Sequence, residues 1–252
     1  MRGLFTGLLL LIACTNVHAE EVRVLAASEL KRALIAVIPD FERETGHKVI
    51  VDFVPQVALG PKLTSEDVDV VFMASSFVEN AGQEQKLVSA TKTDIARTML
   101  GVVVRSGALK PHLSSLGFAI RSLLAAKSIA MAYPDTQSDG RHLLDAAARL
   151  GFGQELKSKL VSVSGTDADV VAAVVRGEAD LGIARVSDIL AAAEADLAGR
   201  LPEEFQAPIV YSGWLHAGAS QAGPGKQLVE YLKSPAAQKV LTNAGMDTSD
   251  KA

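Results

Sequence analysis

The stretch VRVLAAS, residues 22–28, runs directly into ELKRALIAVIPDF, residues 29–41, and together the two decide the fold. The first stretch is short and apolar, as a buried strand is, while the second repeats apolar residues at the spacing of an amphipathic helix. A strand that leads at once into such a helix is the unit from which α/β proteins are built. The apolar positions of the helix are Leu30, Leu34, Val37, Ile38 and Phe41.

Ser28 stands at the junction of this strand and this helix. Serine is a favoured N-cap residue, because the first turn of a helix has four backbone N–H groups without partners. We therefore expect Ser28 to cap the helix. A helix start of this kind can hold an anion without any formal charge, and an ordinary N-cap is the alternative.

The rest of the chain continues the alternation of short apolar runs and amphipathic stretches. This order predicts an α/β protein with mostly parallel strands. Two helices are expected to close the chain, the second capped by Ser234 and followed by Gly245. The further strands are expected at residues 49–53, 68–73, 100–104, 128–133, 161–163, 181–184 and 209–211.

The composition of the 252-residue chain excludes some classes of function. The net charge is −4 and 5% of the residues are aromatic, whereas nucleic-acid binding needs basic patches with stacking rings. Hydrophobic residues make up 48% of the chain, which indicates a well-buried core, and the length suits one large domain or two modest lobes. The sequence has no metal-ligand spacing, nucleophile elbow or glycine-rich phosphate loop, so neither a metal nor a cofactor is expected.

The first 19 residues have the pattern of a signal peptide. Arg2 provides the positive charge, residues 8–13 are apolar, and residues 17–19 fit a small-x-small cleavage site. Cleavage after Ala19 would release a periplasmic protein and remove Cys14, the single cysteine of the chain. Alternatively, the sequence LIAC at 11–14 resembles a lipobox, in which Cys14 would carry a lipid anchor.

Several segments resemble the periplasmic molybdate-binding proteins, in consistent order and over nearly all of the chain that follows the leader. The resemblance implies two α/β lobes of the type II periplasmic-binding-protein architecture, joined by two crossover strands, with a ligand cleft between them. The segments are AAS at 26–28, DVDVVF at 67–72, RGEADLGI at 176–183 and YLKSPAAQKVL at 231–241.

By this resemblance, lobe one comprises residues 20–100 plus 210–252, and lobe two comprises residues 101–209. The crossovers would lie near residues 100–104 and 208–211. Such a cleft closes over its ligand by hinge motion, and the closed form is what the membrane permease of an ABC-type importer would recognise. We expect a monomer that has a small anion and this permease as its partners.

The resemblance also implies which positions bind the ligand. Ser28 matches the first serine of the family, and Gln56 stands where the family has a second one. The turn at 138–142 replaces a Pro-Ala-Gly-x-Tyr turn. In it Gly140 keeps the close backbone approach, and His142 stands for the tyrosine. The expected ligand-binding residues are Ser28, Gln56, Asp139, Gly140, Arg141, Thr166, Asp167 and Arg185.

Arg185 stands where the family has a ligand-contacting tyrosine. A guanidinium offers a planar fork that suits a carboxylate or a phosphate, and an exposed arginine at a strand end is the alternative. Thr166 and Asp167 open the preceding helix, where Asp167 is expected to act as a cap. Otherwise the carboxylates of Asp139 and Asp167 would repel an anion.

Two main functions follow from this reading. The first is capture of a small anion, either a molybdate-like oxyanion or a small carboxylate, for an ABC-type importer. The second is isomerisation of a tricarboxylate, because periplasmic aconitate isomerase is similar to this family. A proton-transfer enzyme needs only one or two placed side chains, and here Arg185 would bind a carboxylate while His142 would be the base. An exported sensor or accessory protein is a third possibility.

Overall fold

The structure is a computed structural model that describes residues 19–65, 67–81, 86–134 and 138–247. The predicted signal peptide, with Cys14, lies outside these residues except for Ala19. Within the described ranges no helix combines the length and the apolar character needed to cross a membrane.

Ten strands form in the described part of the chain, with helices between them. The strands are β1 (Glu21–Ala27), β2 (Lys48–Val54), β3 (Val70–Ala74), β4 (Thr93–Arg97), β5 (Leu100–Arg105), β6 (Ile129–Ala132), β7 (Leu160–Val163), β8 (Leu181–Arg185), β9 (Ala195–Arg200) and β10 (Val210–Leu215). The helices are α1 (Lys31–Thr45), α2 (Leu59–Ser65), α3 (Ser75–Ala81), α4 (Leu116–Ala125), α5 (Ser138–Arg149), α6 (Gly153–Lys159), α7 (Asp167–Arg176), α8 (Val186–Ala191), α9 (Ala222–Tyr231) and α10 (Pro235–Asn243).

The strands build two sheets of five, one for each lobe. Their orders are β2-β1-β3-β10-β4 and β7-β6-β8-β5-β9. In each sheet two neighbouring pairs are parallel and two are antiparallel. The expectation of mostly parallel strands was therefore wrong. Strands β5 and β10 each enter from the other sheet rather than through a helical crossover, and they run against their neighbours.

The chain changes sheet twice, and the two crossing segments are bonded to each other. The first crossing is at Thr98 and Met99, and the second covers residues 201–209. The Thr98 N–H donates to the carbonyl of Ile209 at 3.0 Å, and the Ile209 N–H donates to Thr98 Oγ1 at 3.2 Å. The exact lobe bounds drawn from the sequence stay a prediction.

Of the two predicted serine helix caps, one was confirmed and the other was wrong. Ser234 caps α10, since its hydroxyl oxygen accepts the N–H of Ala237 at 3.2 Å, as predicted. Ser28 is not the cap of α1. A 3-10 turn, Ser28–Leu30, separates β1 from α1, and its N-cap is Ala27, which has no side-chain capping bond. The extra turn moves the α-helix start past Ser28, whose carbonyl accepts the N–H of Lys31.

Candidate ligand cleft

The cleft lies where the carboxyl ends of the parallel strands of both sheets are followed by turns and helix starts. Open α/β sheets bind ligands outside these strand ends. In the first sheet β1 leads to Ser28 and β2 leads to Gln56. In the second sheet β7 leads to Thr166, and β8 ends at Arg185.

Arg185 is held by two aspartates of its own lobe. Its Nη1 donates to Asp167 Oδ2 at 3.2 Å and its Nη2 to Asp139 Oδ2 at 3.1 Å. The Arg185 backbone N–H also donates to Asp167 Oδ2, at 3.0 Å. The structure thus brings three of the predicted site residues into one contact, built from the end of β8 and the starts of α5 and α7.

The charge of Arg185 is stabilised although the side chain is largely buried. Burial opposes that charge, but the carboxylates of Asp167 and Asp139 outweigh it and raise the Arg185 pKa. The expectation that Asp167 acts as a helix cap was wrong, because Thr166 is the N-cap of α7 and the Asp167 carboxylate bonds to Arg185. The positive charge of Arg185 therefore compensates the two aspartates, which would otherwise repel an anion.

Two of the predicted site residues have buried N–H donors without a partner. Gln56 Nε2 and Arg185 Nε form no hydrogen bond with any part of the chain that the structure describes. On its other side, Gln56 Oε1 accepts the N–H of Ala74, the last residue of β3, at 3.4 Å. Most buried polar groups in folded proteins are hydrogen-bonded, so each exception needs an explanation.

Ser28 and Thr166 differ in how their hydroxyl groups are used. Ser28 is exposed. The Thr166 N–H and hydroxyl both donate to Asp169 Oδ2, at 2.7 and 3.0 Å, and these bonds lower the pKa of Asp169. The Thr166 hydroxyl is thus already used within its own helix start, whereas Ser28 is accessible.

Three further predicted residues lie at the start of α5, and their surroundings differ. A side chain on Gly140 would place its Cβ 2.4 Å from the carbonyl oxygen of Pro134. The close backbone approach at this glycine is therefore to Pro134 of the same chain. Arg141 lines a pocket of about 660 Å³ between α5 and α6. His142 is half-buried and lies three residues after Asp139, on the same helix face. The ligand roles of these residues stay predictions.

Two titratable residues near Arg185 were missed from the sequence. Tyr211, at the start of β10, is 2% exposed, and burial together with the charge of Glu29 raises its pKa. Burial and the charge of Asp167 raise the pKa of Asp188 from 3.8 to about 6. No motif marks these positions, because their neighbours come from distant parts of the chain. In the described ranges, no group of three or more His, Cys, Asp or Glu could hold a metal ion.

Comparison with known proteins places the chain in a family. The sequence profile of the bacterial extracellular solute-binding proteins matches residues 22–247. Aconitate isomerase from a Pseudomonas species is 28% identical, over 95% of this chain and 94% of its own. The molybdate-binding protein ModA from Azotobacter vinelandii is 27% identical, over 93% of this chain and 92% of its own.

Among solved structures, the substrate-binding domain of a candidate molybdenum ABC transporter from Clostridium difficile superimposes with a TM-score of 0.78 at 21% identity. The match covers 91% of this chain and 99% of that one. At this identity the likeness shows the fold, which is the two-lobed type II architecture predicted from the sequence. The chain therefore belongs to the bacterial extracellular solute-binding proteins and is similar to the molybdate-binding proteins.

Proposed function

We propose that this protein is a periplasmic solute-binding protein that captures a small anion for an ABC-type importer. The observation that carries the proposal is the pair of buried donors without partners, Gln56 Nε2 in the first lobe and Arg185 Nε in the second. A buried donor left unpaired costs about 1–3 kcal/mol. An anionic oxygen bound in the cleft would remove that cost at both positions and would join the lobes.

The surroundings of Arg185 favour a small carboxylate over a molybdate-like oxyanion. The family's neutral tyrosine is replaced here by a planar cation, which suits the two oxygens of a carboxylate. Asp139 and Asp167 already compensate its charge at 3.1 and 3.2 Å. A compact dianion would meet these two carboxylates at close range, whereas an extended organic acid can place its other groups elsewhere in the cleft.

Membership of the family supports the importer partner and the periplasmic location. Solute-binding proteins close by hinge motion, and closure supplies the surface that a permease recognises. The two bonded crossing segments, at Thr98 and Ile209, are the hinge on which this motion would act. Export would follow cleavage after Ala19, with lipid attachment at Cys14 as the other outcome.

The test is a thermal-shift panel on the mature protein with molybdate, tungstate, sulfate, phosphate and a series of di- and tricarboxylates. A ligand at 100 times its Kd stabilises a protein by about 2.7 kcal/mol, which moves Tm by several degrees. We expect a carboxylate to do so, and the Gln56→Leu variant to lose the effect. Gln154→Leu, on the exposed face of α6, is the matched control. Absence of any shift with every anion would overturn the proposal.

A second candidate function is isomerisation of a tricarboxylate. The observation that favours it is the position of His142 on the α5 face that carries Asp139, the partner of Arg185, together with the similarity to aconitate isomerase over 95% of the chain. Arg185 would hold a carboxylate while His142 removes an allylic proton and returns it at the far end of the double bond.

Proton NMR of cis-aconitate incubated with the protein distinguishes the two functions. Formation of trans-aconitate, lost in His142→Ala while binding is retained, would support the enzyme. Binding without conversion would support solute capture and contradict the enzyme.

A further inference from the structure

Tyr211 lies where the chain returns from the second sheet to the first. It follows the crossing segment 201–209 and pairs with Ala74 of β3 on one side and Ala96 of β4 on the other. The side chain is 2% exposed, and its hydroxyl makes no hydrogen bond to another described residue. Unlike Gln56 Nε2 and Arg185 Nε, the hydroxyl oxygen is not fully buried, so a ligand can reach it.

The strand is irregular at this residue. The pairing of β10 with β4 shifts register between Tyr211 and Ser212. A bulge of this kind re-aims a side chain and is frequent next to functional sites. The hydroxyl of Ser212 is used within the lobe, where it donates to Asp94 and contacts Ser75. The bulge thus separates a serine bonded inside its own lobe from a tyrosine with no such partner.

Charged groups of both lobes act electrostatically on the phenol. Glu29 comes from the 3-10 turn that precedes α1 in lobe one, while Arg185, Asp139 and Asp188 come from lobe two. Burial and the three carboxylates favour the neutral form and raise the pKa of Tyr211, and Arg185 opposes them. The hydroxyl therefore keeps its proton and is available as a donor.

We propose that Tyr211 is a ligand-binding residue that donates its hydroxyl hydrogen to the anionic group bound by Arg185. This inference rests on the proposed capture of a small anion. It adds a third donor to Gln56 Nε2 and Arg185 Nε. It also places that donor next to the second crossing segment, so that the ligand would contact the start of β10 as well as both lobes. The site then requires a ligand oxygen that only accepts, as a deprotonated carboxylate does.

The experiment compares Tyr211→Phe with Tyr231→Phe in calorimetric titrations with molybdate and with trans-aconitate. Tyr231 is a matched control, since its hydroxyl donates to Glu44 on the outer surface of lobe one. We expect Tyr211→Phe to bind at least about tenfold more weakly than wild type, the loss of one hydrogen bond to a charged group. Tyr231→Phe should bind as wild type does.

Equal binding by Tyr211→Phe and wild type would overturn the inference and leave the proposed function standing. Failure of wild type to bind either probe, or any other anion of the panel, would instead overturn the proposed function and the inference with it.

A second measurement does not depend on the folding of Tyr211→Phe. The chain has three tyrosines, so ¹³Cζ labelling gives three signals, which Tyr133→Phe and Tyr231→Phe assign. The Tyr211 signal should move on addition of the anion that binds, and the Tyr231 signal should not. A Tyr211 signal that stays in place at saturation would also overturn the inference.

Discussion

The side-chain amide of Gln206 bonds to the backbone of Leu100 as a neighbouring strand would. Gln206 Oε1 accepts the Leu100 N–H at 2.8 Å, and Gln206 Nε2 donates to the Leu100 carbonyl at 3.0 Å. The same nitrogen donates to the carbonyl of Leu201 at 2.7 Å. Gln206 is 4% exposed and lies in the second crossing segment, while Leu100 begins β5. One buried side chain therefore fixes the second crossing segment beside the start of β5.

Replacement of Gln206 by leucine should destabilise the fold strongly. The change removes the partner of the buried Leu100 N–H and the bond to the Leu201 carbonyl, and each such group costs about 1–3 kcal/mol. The Leu100 carbonyl still accepts the Leu201 N–H at 3.0 Å. We expect the free energy of unfolding to fall by about 2–4 kcal/mol, measured by urea denaturation. Gln154→Leu, at an exposed position, should change it by less than about 0.5 kcal/mol. Equal effects of the two changes would contradict this role for Gln206.

Asp247 links strands of the two sheets through its carboxylate. Oδ2 lies 3.2 Å from Arg97 Nη2 and Oδ1 lies 3.3 Å from Arg200 Nη1. The side chains of Arg97 and Asp247 are 14% and 7% exposed. Asp247→Asn would leave a largely buried guanidinium without its counter-charge. We expect the free energy of unfolding to fall by about 2–4 kcal/mol, followed by urea denaturation.

The control for Asp247 is an ion pair on the surface. Lys226 and Glu230 are 3.7 Å apart on α9, with side chains 65% and 64% exposed. Glu230→Gln should change the free energy of unfolding by less than about 0.5 kcal/mol, as exposed pairs do. If Asp247→Asn had an effect equally small, the contact between the sheets would contribute nothing to stability.

Asp188 should make stability depend on pH. Its pKa is raised from 3.8 to about 6, mainly by burial and then by Asp167. Because the folded protein holds this proton more tightly than the unfolded chain, stability falls as pH rises between these values, and the loss is complete above the higher one. Asp188→Asn should therefore be more stable than wild type by roughly 1–2 kcal/mol near neutral pH, and equal to it near pH ~4.

Thermal unfolding of both proteins across this pH interval measures the effect of Asp188. Asp145→Asn, at an exposed position of α5, is the control and should show no pH-dependent difference from wild type. A stability gap between Asp188→Asn and wild type that is the same at acid and neutral pH would contradict the role of the Asp188 charge.

The sequence predicted the fold well and missed two strands for a physical reason. Apolar runs located eight of the strands, and motifs at both ends of the chain indicated the two-lobed architecture. The missed strands, TDIAR in β4 and ADLAGR in β9, lie at sheet edges. Both carry charged residues within the strand, so they lack the apolar run that located the other strands, including the edge strands β2 and β7.

The sequence indicated three residues that the structure brings together, but not the contacts between them. Asp139, Asp167 and Arg185 were all expected in the cleft, from three separate motifs. That they bind one another depends on how the ends of β8, α5 and α7 meet, which local patterns do not encode. The surroundings of Tyr211 depend on the approach of two lobes, because Glu29 and Asp188 lie far apart in the chain.

The ion pair between Asp139 and Arg185 leads to a prediction about how the Asp139 charge affects anion binding. Asp139 competes with any anion for the Arg185 Nη2, which it holds at 3.1 Å. Asp139→Asn keeps the size of the side chain but removes one negative charge close to the fork. At an effective dielectric constant of about 20, a unit charge about 6 Å away contributes roughly 3 kcal/mol before screening.

After screening, we therefore expect Asp139→Asn to bind the stabilising anion about tenfold more tightly than wild type, with some loss of folding stability. Calorimetric titration and urea denaturation measure the two effects on the same samples. Asp145→Asn, on the exposed side of α5, should leave both unchanged. Weaker binding by Asp139→Asn would contradict the competition argument, because it would mean that the Asp139 carboxylate itself accepts a hydrogen bond from the ligand.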